Sequence, residues 1–354
     1  MKTKVISVNP VVPEPQRIAE AARVIRQGGL VIFPTETVYG IAADLSNPSA
    51  IARLRQVKQR SEDKPFSILI SHRRIIENYT SYTDPKLYKL IDKYWPGPLT
   101  VIVPAKEPGK SYGIRMPDNT IALNLVDAAQ SAIAAPSANI EGKKAPTTCQ
   151  EALEDLDGLV DLAIDGGPVE LGISSSIVDF TQADPKVIRD GVITQYDVDR
   201  TTQKKIILFV CTGNSCRSVM AEYLLKDMVK ERKDVEVLSA GTGVLYRSPA
   251  SAETIAVLKQ RGINAYSHLA SPVGSLMLKK ADLIFVMTRT HRMQVLDIVP
   301  NVEKRVYLLK EFANIPKGSE MDLDIPDPIG RPHGAYEECL LTIQEAILKI
   351  VQLI

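Results

Sequence analysis

The strongest constraint on the fold is a strict alternation that begins at residue 206. Apolar runs at 206–210, 235–238, 282–287 and 305–309 are separated by helix-period patterns at 218–233, 251–261 and 290–298, and a last one follows at 335–353. Successive strands that each hand over to a helix cannot close hairpins. They pair in parallel through helical crossovers, which predicts a doubly wound parallel sheet with helices on both faces.

The first 200 residues are less regular. A helix is predicted at 16–27, with Ile18, Ala21, Ala22 and Ile25 on one face and Gly28-Gly29 as its stop. Strands are predicted at 30–33, 66–70, 99–103, 113–116, 160–164, 176–180 and 187–189, and helices at 49–59, 85–94 and 148–156. This half reads as α/β with a mixed, twisted sheet. The stretch 195–205 is polar and aperiodic, so it marks the seam. The expected organisation is a domain at 1–198, a linker at 199–204 and a domain at 205–354. For 354 residues, two domains is the ordinary number.

Charge excludes a coat for nucleic acid. The 43 basic and 42 acidic residues nearly cancel, and residues 1–200 hold 23 basic against 25 acidic. Any affinity for anions must come from local constellations. Four cysteines (Cys149, Cys211, Cys216 and Cys339) form neither a disulfide framework nor a zinc pattern, so no metal site is expected. Residues 5–8 are too short for a signal core, and no apolar run approaches the roughly 18 residues of a span. The expectation is a reduced, cytoplasmic enzyme with no membrane partner.

The most specific segment is Val210-Cys211-Thr212-Gly213-Asn214-Ser215-Cys216-Arg217-Ser218. A strand ends, a short loop turns and a helix begins, so successive N–H groups and the helix dipole form an anion cradle. That positive end favours the thiolate form of Cys211, a nucleophile. Arg217 offers a planar fork for two phosphoryl oxygens. Gly213 permits close backbone approach, while Asn214 and Ser218 can hold the loop; Thr212, Ser215 and Cys216 complete it. Phosphoryl transfer also needs an acid, and Asp327, in the stiff run Asp324-Ile325-Pro326-Asp327-Pro328, is the candidate.

These residues, with Ser239-Ala240-Gly241, the run 281–288 and the late Asp327-Pro328, resemble the low-molecular-weight protein tyrosine phosphatase family across residues 205–354. The resemblance implies a doubly wound sheet of flavodoxin-like order and a cysteinyl-phosphate on Cys211. It also implies a clamp from Arg217, an acid and then base at Asp327, and a phosphoprotein substrate. Cys216 matches a second loop cysteine that can form a protective disulfide with Cys211. Val219 stands where many members carry Pro. Ser215 is small and polar, and Ile329-Gly330 supplies no aromatic wall. Both features are similar to the protein-arginine phosphatase branch, so phosphoarginine is preferred to phosphotyrosine. Arsenate reduction, the alternative, needs a further downstream cysteine pair.

The first half carries Pro34-Thr35-Glu36-Thr37-Val38-Tyr39-Gly40, then Lys58-Gln59-Arg60 and Lys64-Pro65. The motifs Trp95–Thr100 and Gly113–Pro117 follow, then Ser137-Ala138-Asn139, Asp165–Pro168, Ser174-Ser175-Ser176 and Val187–Gly191. Taken singly, these are turns and solvated charges; together they describe an anion-binding α/β cavity without a nucleophile. Their order resembles the YrdC-like threonylcarbamoyl-AMP synthases over about residues 5–195, although Leu69 and Ala145 replace a His and a Ser found in some members. The resemblance implies condensation of L-threonine, bicarbonate and ATP, the last with Mg2+, to threonylcarbamoyl-AMP and pyrophosphate. The product would feed the tRNA-modification machinery. Lys58, Arg60, Lys64, Ser137, Asn139 and Arg189 would hold ATP; Thr35, Thr37, Arg115 and Ser175 would hold threonine. The expectation is a bifunctional enzyme, and its rival is that one half only binds RNA or a nucleotide.

Overall fold

The computed structural model describes residues 2–62, 64–313 and 323–354; Asp63, between Lys58-Gln59-Arg60 and Lys64-Pro65, lies outside them. The chain divides into two compact units, one of residues 1–82 and 90–199, the other of 83–89 and 200–354. The stretch expected as a polar seam is largely helical, from Gln195 to Thr202. Its Thr194 hydroxyl and backbone N–H bind Asp197 ahead of the first turn, a local signal that a search for apolar periodicity passes over.

The first unit is built on ten strands: β1 (Lys4–Ser7), β2 (Val31–Phe33), β3 (Gly40–Asp44), β4 (Ile68–Leu69), β5 (Leu99–Pro104), β6 (Ser111–Arg115), β7 (Ile133–Ala134), β8 (Leu162–Asp165), β9 (Ser176–Asp179) and β10 (Lys186–Arg189). Their order is β1-β8-β2-β3-β7-β4-β6-β5-β9-β10. Parallel pairs (β1 with β8, β2 with β8, β4 with β6, β5 with β9) are interleaved with antiparallel ones, so the sheet is mixed as expected. The helix Pro15–Arg26 buries Ile18, Ala21, Ala22 and Ile25, and packs with helix Thr120–Ala129 over one sheet face. The helices Pro48–Lys58 and Cys149–Leu156 pack into the core on the other face.

Sequence periodicity did not show β3, β7 or the helix Thr120–Ala129. β3 reads Gly-Ile-Ala-Ala-Asp and is buried at every position, so it lacks the alternation that marks a half-exposed strand. β7 is two residues long. The helix has a clear cap, Asn119 accepting the N–H of Ala122 at 3.0 Å, but its apolar positions crowd into one short run.

The second unit carries β11 (Lys205–Cys211), β12 (Val235–Gly241), β13 (Leu283–Val286) and β14 (Val306–Leu308), all parallel, in the order β12-β11-β13-β14. This is the flavodoxin-like doubly wound arrangement. Alternation along β11 settles its two faces: Ile207, Phe209 and Cys211 join the core formed with helices Arg217–Met228 and His333–Leu353, whereas Ile206, Leu208 and Val210 join the opposite core. The strand order reverses between β11 and β13. The crevice beyond their carboxyl ends is where such sheets bind ligands. Among the described residues, no helix is long and apolar enough to cross a membrane.

Gly241, the last residue of β12, lets the neighbouring loop close in. A Cβ there would lie 2.4 Å from the carbonyl oxygen of Thr212 and 2.9 Å from the amide nitrogen of Asn214. Both are backbone atoms, so neither can swing aside. Gly241→Ala should therefore destabilise the second unit by about 1–3 kcal/mol, as overpacking does. Denaturant unfolding followed on that unit's transition measures it; an unchanged midpoint would show that the loop can yield freely.

Candidate functional site

Each unit gathers its polar side chains beyond strand ends. In the second unit β11 delivers Cys211, residues 212–216 turn, and the helix starts at Arg217. Cys211 is buried; its sulfur receives the Asn214 N–H at 3.3 Å and lies 2.9 Å from Ser218 Oγ. Asn214 makes the turn in the left-handed region, at φ 50°, and is fastened on every side. Its side-chain nitrogen donates to Ser218 Oγ (2.9 Å) and Ser239 Oγ (2.7 Å), and its side-chain oxygen accepts from Ser271 N (2.8 Å). His268 Nε2 lies 2.9 Å from its carbonyl oxygen. Ser239 donates in turn to Glu222, which is buried with Lys226 as its ion partner.

Arg217 is almost wholly buried and donates to Ile325 O at 3.0 Å and to the carboxylate of Asp327. Its Nε has no partner. The loop 323–328 therefore places Asp327 directly on the Arg217 fork, with the Asp327 side chain 41% exposed and facing the opening. Ser215 is half-buried and Cys216 is buried in the core beside it, with Cys216 Sγ 3.6 Å from Ser215 Oγ and 3.4 Å from Ser251 Oγ. All four cysteines are free thiols. Burial pushes Cys149 up to about 11 and Cys339 up to about 12, which keeps both as inert thiols. One more group faces this loop: His291 Nε2 lies 2.8 Å from Thr212 Oγ1.

In the first unit, a cavity is lined by Thr35, Ser67, Thr100, Arg115, Ser137, Ser175 and Arg189, among others. A neighbouring hollow shares Ser67, Thr100, Ser137 and Arg189 with it and adds Arg60 and Lys64. Neither is lined by a carboxylate among the described residues. Arg189, exposed at the rim, is tied to Ser175 through its backbone oxygen and its Oγ, both at 2.9 Å; Ser175 Oγ in turn meets Thr100 Oγ1 at 2.8 Å. Arg60 stacks near the Phe66 ring, and Lys64 pairs with Glu141 at 2.8 Å.

Three predicted ligand residues sit behind this wall rather than in it. Thr37 is fully buried and receives Arg115 Nη2 at 2.8 Å, while Thr35 Oγ1 lies 2.9 Å from it; Thr37 holds the guanidinium that reaches the cavity. Lys58, at 2% exposure, donates to the carbonyls of Ser137 (2.6 Å) and Asn139 (2.7 Å) and thus braces the loop. Burial, helped by nearby Arg60, lowers its pKa to about 8. Asn139 donates to Ile140 O and Lys143 O, leaving its buried side-chain oxygen without a partner. Glu36, which the sequence put at the mouth, is buried 2.7 Å from Arg115 Nη2, outside hydrogen-bond geometry, and both its oxygens lack hydrogen-bond partners.

Sequence reasoning missed Ser67, Thr100, Glu222, His268 and His291 as parts of these sites. Ser67, Thr100 and Glu222 lie in or close beside the motifs but have no role that spacing alone reveals, whereas His268 and His291 are remote in sequence and only folding brings them in. The exception in kind is Ser239, whose place in a recognisable Ser-Ala-Gly run gave a hint without a role.

Comparison with known proteins closes the question of family. A family model described as telomere recombination, covering the Sua5, YciO and YrdC proteins, matches residues 23–191. One for low-molecular-weight phosphotyrosine protein phosphatase matches residues 206–354. The chain is 36% identical to the threonylcarbamoyl-AMP synthase of Bacillus subtilis over 195 residues, which is 52% of this chain and 56% of that protein. It is 35% identical to a putative threonylcarbamoyl-AMP synthase of Methanocaldococcus jannaschii, over 54% of this chain and 95% of the relative. Against the first of these, as against its Pyrococcus abyssi counterpart, the match spans little more than half the relative's length. The solved structure of P. abyssi Sua5 with L-threonine superposes with a TM-score of 0.54 at 23% identity, covering 98% of both chains, a likeness of fold. The first unit thus belongs to the Sua5–YciO–YrdC family, and the second to the low-molecular-weight phosphotyrosine protein phosphatase family.

Proposed function

We propose that the chain is a bifunctional enzyme, making threonylcarbamoyl-AMP in its first unit and removing phosphoryl groups from proteins in its second. The observation that carries the first activity is a cavity lined by Arg60, Lys64, Arg115 and Arg189 with no carboxylate on its walls. Cations so placed call for a polyanion and a carboxylate together, as ATP and threonine supply. The amine of threonine takes up CO2 from bicarbonate, and a carbamate oxygen attacks the α-phosphorus of ATP, expelling pyrophosphate. No protein nucleophile is needed; positioning and charge neutralisation suffice. Arg60, Lys64 and Arg189 hold the triphosphate, and Arg115, steered by Thr37, holds the threonine carboxylate beside Thr35 and Ser175. The walls offer no carboxylate for a magnesium site of the protein's own, so the ion enters with the triphosphate as part of the substrate. The product is consumed by the machinery that modifies tRNA.

For the second activity the carrying observation is Cys211 at the foot of a loop whose exit residue, Arg217, presents an unpartnered Nε. The Cys211 thiolate attacks phosphorus while the phosphoryl oxygens occupy the loop N–H groups and Arg217. Asp327 gives a proton to the leaving group, and then takes one from the water that hydrolyses the cysteinyl-phosphate. The small polar Ser215 and the exposed Ile329 after Asp327-Pro328 favour phosphoarginine over phosphotyrosine.

Pyrophosphate release from ATP should require both threonine and bicarbonate; release indifferent to either would sink the synthase reading. Its kcat/KM for ATP should fall as pH rises through about 8, where Lys58 loses the charge that braces and electrifies the loop at 137–139. Below that pH the ammonium is present and the profile should be level. In Lys58→Met the value should be lower throughout, with that inflection gone; a variant that keeps the inflection would assign it to another group. In the second unit, Cys211→Ser should abolish hydrolysis of every phosphosubstrate. Ser215→Ile should shift preference toward phosphotyrosine peptides, as measured by the ratio of kcat/KM values on the two substrates; an unmoved ratio would count against Ser215 as the selector.

A further inference from the structure

A buried histidine that the mechanism above does not use faces the phosphate loop from across the switch point. Thr212 leaves the end of β11, and His291 sits in the first turn of helix Arg289–Ile298, just past the end of β13. Thr212 is exposed at the opening; His291 is 4% exposed. The two are joined at 2.8 Å between Oγ1 and Nε2. On the other side of the ring, Nδ1 lies 2.9 Å from Thr288 Oγ1, which also accepts the backbone N–H of His291 at 3.3 Å as the cap of that helix. Burial, with Arg217 nearby, lowers the imidazole pKa to about 4, so the ring is neutral and carries one proton.

A neutral imidazole between two hydroxyls forms a chain with a direction. With the ring proton on Nε2, the Thr288 O–H donates to Nδ1, Nε2–H donates to Thr212, and the Thr212 proton is left over at the opening. With the ring proton on Nδ1, the Thr212 O–H is spent inward, and Thr288 must accept twice while its own proton finds no acceptor among the described residues. An anion in the loop selects the first direction, because it places a donor beside negative charge.

We infer that His291 is a positioning residue of the phosphatase site, turning the Thr212 hydroxyl into a hydrogen-bond donor to a non-bridging oxygen of the bound phosphoryl group. This rests on the reading of the second unit as a phosphatase, and it adds a side-chain donor to the backbone N–H groups of the loop. The donor is indifferent to the leaving group, so it serves phosphoarginine and phosphotyrosine alike.

The test is a double-mutant cycle on the full chain, with Thr212→Val, His291→Ala and the pair. The readouts are inhibition of p-nitrophenyl phosphate hydrolysis by inorganic phosphate and direct phosphate binding by calorimetry. Each single change should weaken phosphate about tenfold, as loss of a hydrogen bond to a charged group does. The pair should be no worse than either alone, because both remove one interaction. Thr212→Ser, which keeps the hydroxyl, should bind phosphate nearly as the parent does. Unchanged phosphate affinity in Thr212→Val, or losses that multiply to about a hundredfold in the pair, would overturn the inference. Should His291→Ala fail to fold, the Val and Ser variants at the exposed Thr212 decide it by themselves. A parent chain that binds phosphate in this pattern but hydrolyses nothing would refute the phosphatase reading and leave the hydrogen bond standing.

Discussion

A cation removed from water must be held by something, and how it is held decides what the site can accept. In the first unit Lys58 is held by two carbonyl oxygens, Arg189 by a serine, and Arg115 by a threonine hydroxyl, the Gly97 carbonyl and the off-line Glu36. Neutral oxygens fix the geometry of Lys58 and Arg189 without cancelling their charge, whereas Arg115 and Lys64 each have a carboxylate close by, Glu36 at 2.7 Å and Glu141 at 2.8 Å. In the second unit Arg217 is likewise met by a carboxylate, that of Asp327. The first unit thus mixes two solutions, neutral oxygens and nearby carboxylates, and the second relies on the carboxylate.

The scaffolding behind each cation is rigid for the same reason in both units. Arg115 ends β6 and Arg189 ends β10, so sheet hydrogen bonds set where their side chains begin. Arg217 opens a helix that follows β11 after a five-residue loop, and that loop is pinned through Asn214 to Ser218, Ser239 and Ser271. Replacing any one link leaves a buried polar atom unpaired, which costs more than a hydrogen bond is worth on average. The left-handed turn at Asn214 persists because those bonds over-determine it.

How much of this was readable beforehand follows from distance along the chain. Cys211, Thr212, Asn214, Ser215, Arg217 and Ser218 are neighbours in sequence, so a single strand–loop–helix segment showed both the fold and the chemistry. The cavity of the first unit draws on the segment 33–40, on strands β4, β5, β6, β9 and β10 and on residues 135–137, and only the ordered set of motifs hinted at it. The residues read there as ligands split by where their polar atoms fall. Arg60, Lys64, Arg115, Ser175 and Arg189 line the open space, whereas Thr37, Lys58 and Asn139 stand behind it. Sequence shows that a side chain belongs near a site, but not on which side of a strand or helix end its polar atom falls. Glu222, His268 and His291 gave no sequence signal, since a lone His or Glu is ordinarily surface or core. The all-buried β3 and the two-residue β7 had no period to read.

The pairing of Arg217 with Asp327 gives the second site an internal order of events. Before substrate arrives, the guanidinium is answered by the carboxylate, and only its Nε is unused. A phosphoryl group entering the loop competes for the same fork with more charge and with the loop N–H groups to assist it. Once displaced, Asp327 is released from Arg217 and stands beside the bound phosphoryl group, the position from which the proposed proton transfer to a leaving group would start. The stiff Ile325-Pro326-Asp327-Pro328 segment limits how far the carboxylate can retreat, so it remains at the opening where the leaving atom emerges.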